Sequence, residues 1–277
     1  GAHSHRPTEA VISRLSAAFA NAPVSNPDGT TGITLINDYG QGGAFIGGNH
    51  IPDADGVIAG NVFDPDFQNY KATNFANNRA GIFHYTLLPH RYNTTSNSSG
   101  YAELPGDDLI VSLYCANSTN NVSNTIMHEL GHNLNLRHGG GDDINRKINY
   151  NSVMNYYYQF PGVSDPNDCN VTPNGILDFS RDQYNTLLET SLDESQGICG
   201  GISYDFNNNG SIDPGTVAAD INNNGAVDTQ AHQGFDDWTN IIYDWDGPGS
   251  GAGPEHSGMA GESLNGVECH NVAPISE

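Results

Sequence analysis

The sequence predicts an α/β (α+β) fold on a mixed, mostly parallel twisted sheet, followed by an irregular, acidic C-terminal part. Three observations lead there. Strand-like and helix-like segments alternate as far as about residue 190. Hydrophobic residues make up 36% of the 277-residue chain while glycine occurs 33 times, which favours loop-rich layers over a helical bundle. Beyond Gly197 the text turns to Asn, Asp and Gly with little periodicity, and a boundary is placed near residue 200.

Residues 7–21 read as a helix, with Pro7 in its first turn and Val11, Ile12, Leu15 and Phe19 on one stripe. A strand over 33–39 and a glycine-rich loop over 40–48 follow, then a second strand over 56–63. Residues 64–79 read as helical, with Phe67, Tyr70 and Phe75 facing inward. Strands are expected over 82–88 and 109–114, with a polar loop over 92–100 between them. A helix over 123–134 places Ile126, Leu130 and Leu134 toward the core. A last helix is expected from Ser180, where Ser180 and Gln183 fit a capping box and Tyr184, Leu187, Leu188 and Leu192 form the stripe.

The formal net charge is −23, from 32 acidic and 9 basic residues, so the chain repels nucleic acid and anionic membranes. No apolar run is long enough to span a bilayer. The first residues carry no signal-peptide pattern and read as a processed terminus of an exported protein. Four widely spaced cysteines predict two disulfides in an oxidising compartment. Three pairings are open, with Cys169–Cys199 and Cys115–Cys269 favoured.

Residues 128–132 read His-Glu-Leu-Gly-His. Two histidines four apart lie one above the other on a helix face, so both imidazoles reach one ion, and Glu129 reaches a water beside it. His138 follows six residues later. To return it to the same ion the helix must stop and the chain turn back, which calls for a left-handed residue. Asn135 stands there, the non-glycine type that best tolerates φ > 0. His84, His90, His232, His256 and His270 have no such spacing and read as ordinary structural or surface histidines.

The run His128-Glu129-x-x-His132-x-x-Asn135-x-x-His138, with Ser152-Val153-Met154-Asn155-Tyr156 downstream, resembles the metzincin signature, Asn135 replacing its glycine. The resemblance covers about residues 30–195. It implies a catalytic domain over about 1–200, upper subdomain 1–135 and lower subdomain 136–200, the latter irregular with a Met-turn and a C-terminal helix. It implies a catalytic zinc on His128, His132 and His138, Glu129 as general base, and Met154 as an apolar floor beneath the metal. Tyr156 matches a tyrosine that ligates zinc or steadies the oxyanion, and it reads equally well as a core tyrosine. The substrate would lie along an edge strand within 99–107, with Tyr157, Tyr158 and Phe160 shaping the pocket.

In the C-terminal part, Asp205, Asn207, Asn209, Ser211 and Asp213 stand at positions 1, 3, 5, 7 and 9 of a DxNxNGxxD loop. Asp220, Asn222, Asn224, Ala226 and Asp228 repeat it 15 residues on. Oxygens at this spacing, with glycine at position 6, match the first part of a calcium loop, while the closing Glu at position 12 is absent. Residues 201–277 are therefore expected to form a calcium-ordered extension packed on the catalytic domain, completed by Asp236, Asp237, Asp244 or Asp246. The functional expectation is a secreted, monomeric zinc endopeptidase acting on extracellular proteins. The alternatives are a calcium-dependent adhesion module with a vestigial zinc site, or a peptidase for glycoproteins such as mucins.

Overall fold

The computed structural model describes residues 5–242, apart from 49, 54, 115, 167, 168, 170 and 183, together with the backbone of 259–260. The elements in chain order are α1 (Glu9–Ala20), β1 (Val57–Ile58), α2 (Pro65–Asn74), a 3-10 turn (Asn77–Arg79), β2 (Tyr85–Leu87), β3 (Arg91–Tyr92), β4 (Gly100–Ala102), β5 (Asp108–Val111), α3 (Thr119–Asn133), β6 (Leu187–Leu188), β7 (Leu192–Asp193), β8 (Thr216–Val217), β9 (Ala231–His232) and β10 (Met259–Ala260). This is a mixed α and β architecture with few helices and small sheets. The chain divides into two compact units, Gly1–Asn135 with Ile241–Glu277, and Leu136–Asn240. Among the described residues no helix is long and apolar enough to cross a membrane.

In the first unit α1 starts where Thr8 accepts a hydrogen bond from the Val11 amide, and it buries Val11, Leu15, Ala18 and Phe19. Arg14 joins it to α3 by donating to Ser123 Oγ at 3.0 Å and Asn124 Oδ1 at 3.2 Å. The main sheet runs β10-β4-β5-β2. Only β2–β5 is parallel; β4–β5 and β10–β4 are antiparallel, so the sheet is mixed and not mostly parallel. β1 and β3 form a separate parallel pair. Ile58, Val62, Phe67, Tyr85, Leu87, Tyr92 and Ile110 build the core here, with Tyr70 and Phe75 of the 64–79 segment packed against it as the sequence predicted. Each such buried side chain contributes about 1.5–3 kcal/mol. Lys71 of α2 pairs with Asp108 at 2.6 Å and Asp107 at 3.3 Å, fastening the helix to β5.

The strand expected over 33–39 does not form. The segment is extended without a sheet partner among the described residues, Ile36 is exposed, and Asn37 donates to Ser16 Oγ at 3.1 Å. Sequence also placed a free sheet edge within 99–107. Strand β4 lies there, but β10 pairs along its outer side, Met259 opposite Ala102.

In the second unit the helix expected from Ser180 is absent. The Ser180 amide donates to Asp237 Oδ2 at 2.9 Å, and the leucines enter β6 and β7 instead. Gln183 lies outside the described residues. Leu187 and Leu192 still reach a core, with Ile148, Val171, Ile198 and Phe206. The Cys169–Cys199 disulfide is present, Cα atoms 5.8 Å apart. Cys115 and Cys269 lie outside the described residues.

Candidate metal centre

Helix α3 begins at Ser118, whose Oγ accepts from the Asn121 amide. From Met127 to Asn133 every residue is buried, so the helix is enclosed on all sides through the motif. Asn133 holds its end to the sheet, donating to the carbonyls of Glu103 at 3.0 Å and Asp108 at 3.1 Å, while its Oδ1 meets His84 Nδ1 at 3.0 Å. Asn135 then takes φ 72, the left-handed turn that the spacing demanded.

His128 and His132 are fully buried, with Nε2 atoms 3.1 Å apart. His128 and His132 thus offer two ring nitrogens to one ion from the first unit, and His138 follows in sequence just past the turn at Asn135. Two nitrogens bound to one zinc at about 2.0–2.1 Å stand roughly 3.4 Å apart. Three imidazoles without thiolate or carboxylate suit a borderline-soft ion and leave a coordination position open.

Glu129 is fully buried between the two histidines in sequence, and neither carboxylate oxygen has a hydrogen-bond partner among the described residues. Burial pushes its carboxyl well above the usual carboxylate range. A Cβ at Gly100 of β4 would crowd Glu129 Oε1 and stand 2.6 Å from the Ile110 carbonyl oxygen, a backbone atom, so glycine is required where the carboxylate lies against the sheet. An orphaned buried carboxylate on the same helix as two paired imidazoles fits a metal centre with a proton acceptor.

In the second unit, Tyr156 packs its ring 4.3 Å from that of His138, and its amide donates to Asn145 Oδ1. Met154 is fully buried, its amide donating to Ser152 Oγ at 3.1 Å. Asn155 secures the turn through the carbonyls of Lys147 and Tyr150. Tyr158 is a core residue and not a pocket wall: it is fully buried, its hydroxyl on the carbonyls of Ile148 and Val171.

The two DxNxNG loops adopt one conformation twice. Asp205 accepts from the Asn209 and Gly210 amides at 3.1 and 2.7 Å; Asp220 accepts from Asn224 and Gly225 at 3.1 and 2.8 Å. Asn207 and Asn222 accept from the amides of Asn209 and Asn224; Asn209 and Asn224 accept from those of Ser211 and Ala226. The side chains of Asn209 and Asn224 donate to Asp213 and Asp228.

Against each loop lies a fully buried glutamate that sequence reading missed. Glu194 accepts from Phe206, Asn207 and Asp213, and Glu189 from Ile221, Asn222 and Asp228. Their sequence signal was a leucine two residues before each glutamate. Asp237, expected near the calcium loops, is instead buried under Tyr150, Ser152 and Ser180, and Asp236 accepts from Thr239. Asp244 and Asp246 lie outside the described residues.

His232 is buried beside Glu189 and Asp228. In the third candidate group, Glu103, Asp107 and Asp108, Lys71 pairs with both aspartates and Glu103 accepts from their amides. No protein-family model, no curated protein and no solved structure matches the chain.

Proposed function

We propose that the chain is a secreted, monomeric, metzincin-like zinc endopeptidase that hydrolyses peptide bonds of extracellular proteins. The observation that carries this is the pairing of His128 and His132, Nε2 atoms 3.1 Å apart, with Glu129 next in sequence to His128, buried and without a hydrogen-bond partner among the described residues; His138 is the third ligand that the sequence supplies. Zinc held there would supply Lewis acidity and a water of lowered pKa. Glu129 takes a proton from the attacking water and delivers it to the leaving amine nitrogen. Its enclosure keeps it basic toward that proton, and Gly100 leaves it room against the sheet. The Tyr156 hydroxyl donates a hydrogen bond to the developing oxyanion, a role its tilted ring contact with His138 supports. Met154 provides a rigid apolar support by analogy with the metzincin turn.

Calcium is the proposed second cofactor, ordering the loops that start at Asp205 and Asp220. Their shared geometry also supports the second reading, a calcium-dependent adhesion module with a vestigial zinc site. Digestion of a peptide library by wild type and Glu129→Ala, with zinc content measured in both, separates the readings. Cleavage by wild type is expected, with kcat/KM lowered about 10²–10⁴-fold in the variant at unchanged zinc. No cleavage by zinc-loaded wild type favours the adhesion module; equal cleavage removes Glu129 as the base.

A further inference from the structure

Outside the triad, the second unit contains one clasp built twice, and the copies differ where it matters chemically. In the inner copy β7 pairs with β8, Leu192 opposite Val217. In the outer copy β6 pairs with β9, Leu187 opposite His232. The glutamates two residues on hold the same three amides, Glu194 at 2.9, 3.3 and 2.8 Å and Glu189 at 2.8, 3.3 and 2.9 Å. The backbone carbonyls match too, accepting from Tyr204 at 2.9 Å and Ala219 at 3.0 Å.

The inner copy shows that an aliphatic side chain serves this place: Val217 packs against the apolar cluster around Leu192 and Phe206. The outer copy puts an imidazole there at 0% exposure. Neither ring nitrogen has a hydrogen-bond partner among the described residues. A buried polar group left without a partner is destabilising, so such a pair of ring nitrogens calls for one.

Nε2 stands 4.0 Å from Glu189 Oε1, too far for a hydrogen bond and within the span of two ligands on one ion. One ligand atom from each of Glu189, Asp228 and His232 falls within 4.8 Å of the others. The carboxylates are already fixed, Glu189 by its amides and Asp228 by the Gln230 amide at 2.9 Å and the Asn224 side chain at 3.2 Å.

We infer that Glu189, Asp228 and His232 form a second site for a divalent transition-metal ion of the zinc class, structural in role and separate from the histidine triad. Two carboxylates neutralise a dication, and the imidazole selects against calcium and magnesium, which take oxygen ligands. Asp228 then serves this ion, leaving the second DxNxNG loop one carboxylate poorer toward calcium than the first.

The test reads metal content and not activity, so it is independent of the peptidase reading. A His128→Ala/His132→Ala protein, zinc-loaded in excess calcium and desalted, is expected to retain one zinc per chain by mass spectrometry. Adding His232→Val should remove it, weakening zinc affinity more than about tenfold. The near-UV spectrum should hold, since valine occupies the equivalent place in the inner copy. Asp228→Asn, which keeps the side-chain size, should cause the same loss and serves if His232→Val fails to fold. A folded double variant without zinc overturns the inference. So does zinc retained unchanged in His232→Val or Asp228→Asn, which would assign the gap beside His232 to water.

Discussion

Asp237 is fully buried and meets three donors: the Tyr150 hydroxyl at 2.7 Å, the Ser152 hydroxyl at 2.5 Å and the Ser180 amide at 2.9 Å. Burial outweighs those bonds and, with Asp236 nearby, raises its carboxyl to about 7. The folded state therefore prefers the protonated form. Stability from this group is complete below the ordinary carboxylate range near 3.8 and is lost as pH rises toward 7. Urea unfolding between pH 4 and 7 should show wild type losing a few kcal/mol over that window, with a flatter profile for Asp237→Asn. Parallel profiles would mean that Asp237 ionises without cost. Placements fixed by short spacing were legible in sequence: His128 and His132 by the helical repeat, and the turn at Asn135, which takes φ 72, by the residue type that tolerates it. Asp237 was not, because its partners lie 57 to 87 residues away. His232 was missed for a similar reason, since it meets Glu189 only through a strand pairing that no local pattern encodes.

The elements divide along the same line. Helices α1 and α2 and the motif helix α3 were recovered because capping and periodicity are local, although α3 starts at Thr119, four residues before the expected 123. The leucines after Ser180 fit a helical stripe, yet the same residues enter two short strands, each followed directly by Glu189 or Glu194. Tertiary pairing decided between the two, because only the strand form delivers both glutamates to the loop amides. This gives Glu194→Gln a defined consequence. The amide nitrogen that replaces one carboxylate oxygen faces backbone donors, so at least one charge-assisted bond is lost and a buried donor stranded, for about 2–3 kcal/mol. Hydrogen exchange should accelerate at the amides of Phe206, Asn207 and Asp213 while those of Ile221, Asn222 and Asp228 stay protected. Unchanged exchange at all six would show that the clasp does not hold the loop.

At the scale of the whole molecule, a charge of −23 opposes compaction unless carboxylates are neutralised. If calcium fills one of the loops at about 100 times its Kd, it contributes about 2.7 kcal/mol, and its removal should lower Tm by about 5–10 °C. A calcium-selective chelator that leaves zinc in place and Tm unmoved would sink the calcium reading. Composition made the mixed α and β class legible, but not the antiparallel pairing of β10 on β4, which joins chain segments far apart in sequence. The doubled clasp also sets an order of events. Its copies are nested, since β6 and β9 enclose β7 and β8 along the chain. Glu194 reaches Phe206 across 12 residues, whereas Glu189 reaches Ile221 across 32. Closing the longer loop from an open chain costs about 0.9 kcal/mol more entropy. Once the inner loop has closed, much of that span is already fixed. The inner copy is thus the kinetic template for the outer, and weakening Glu194 should slow the closure of a loop it never touches.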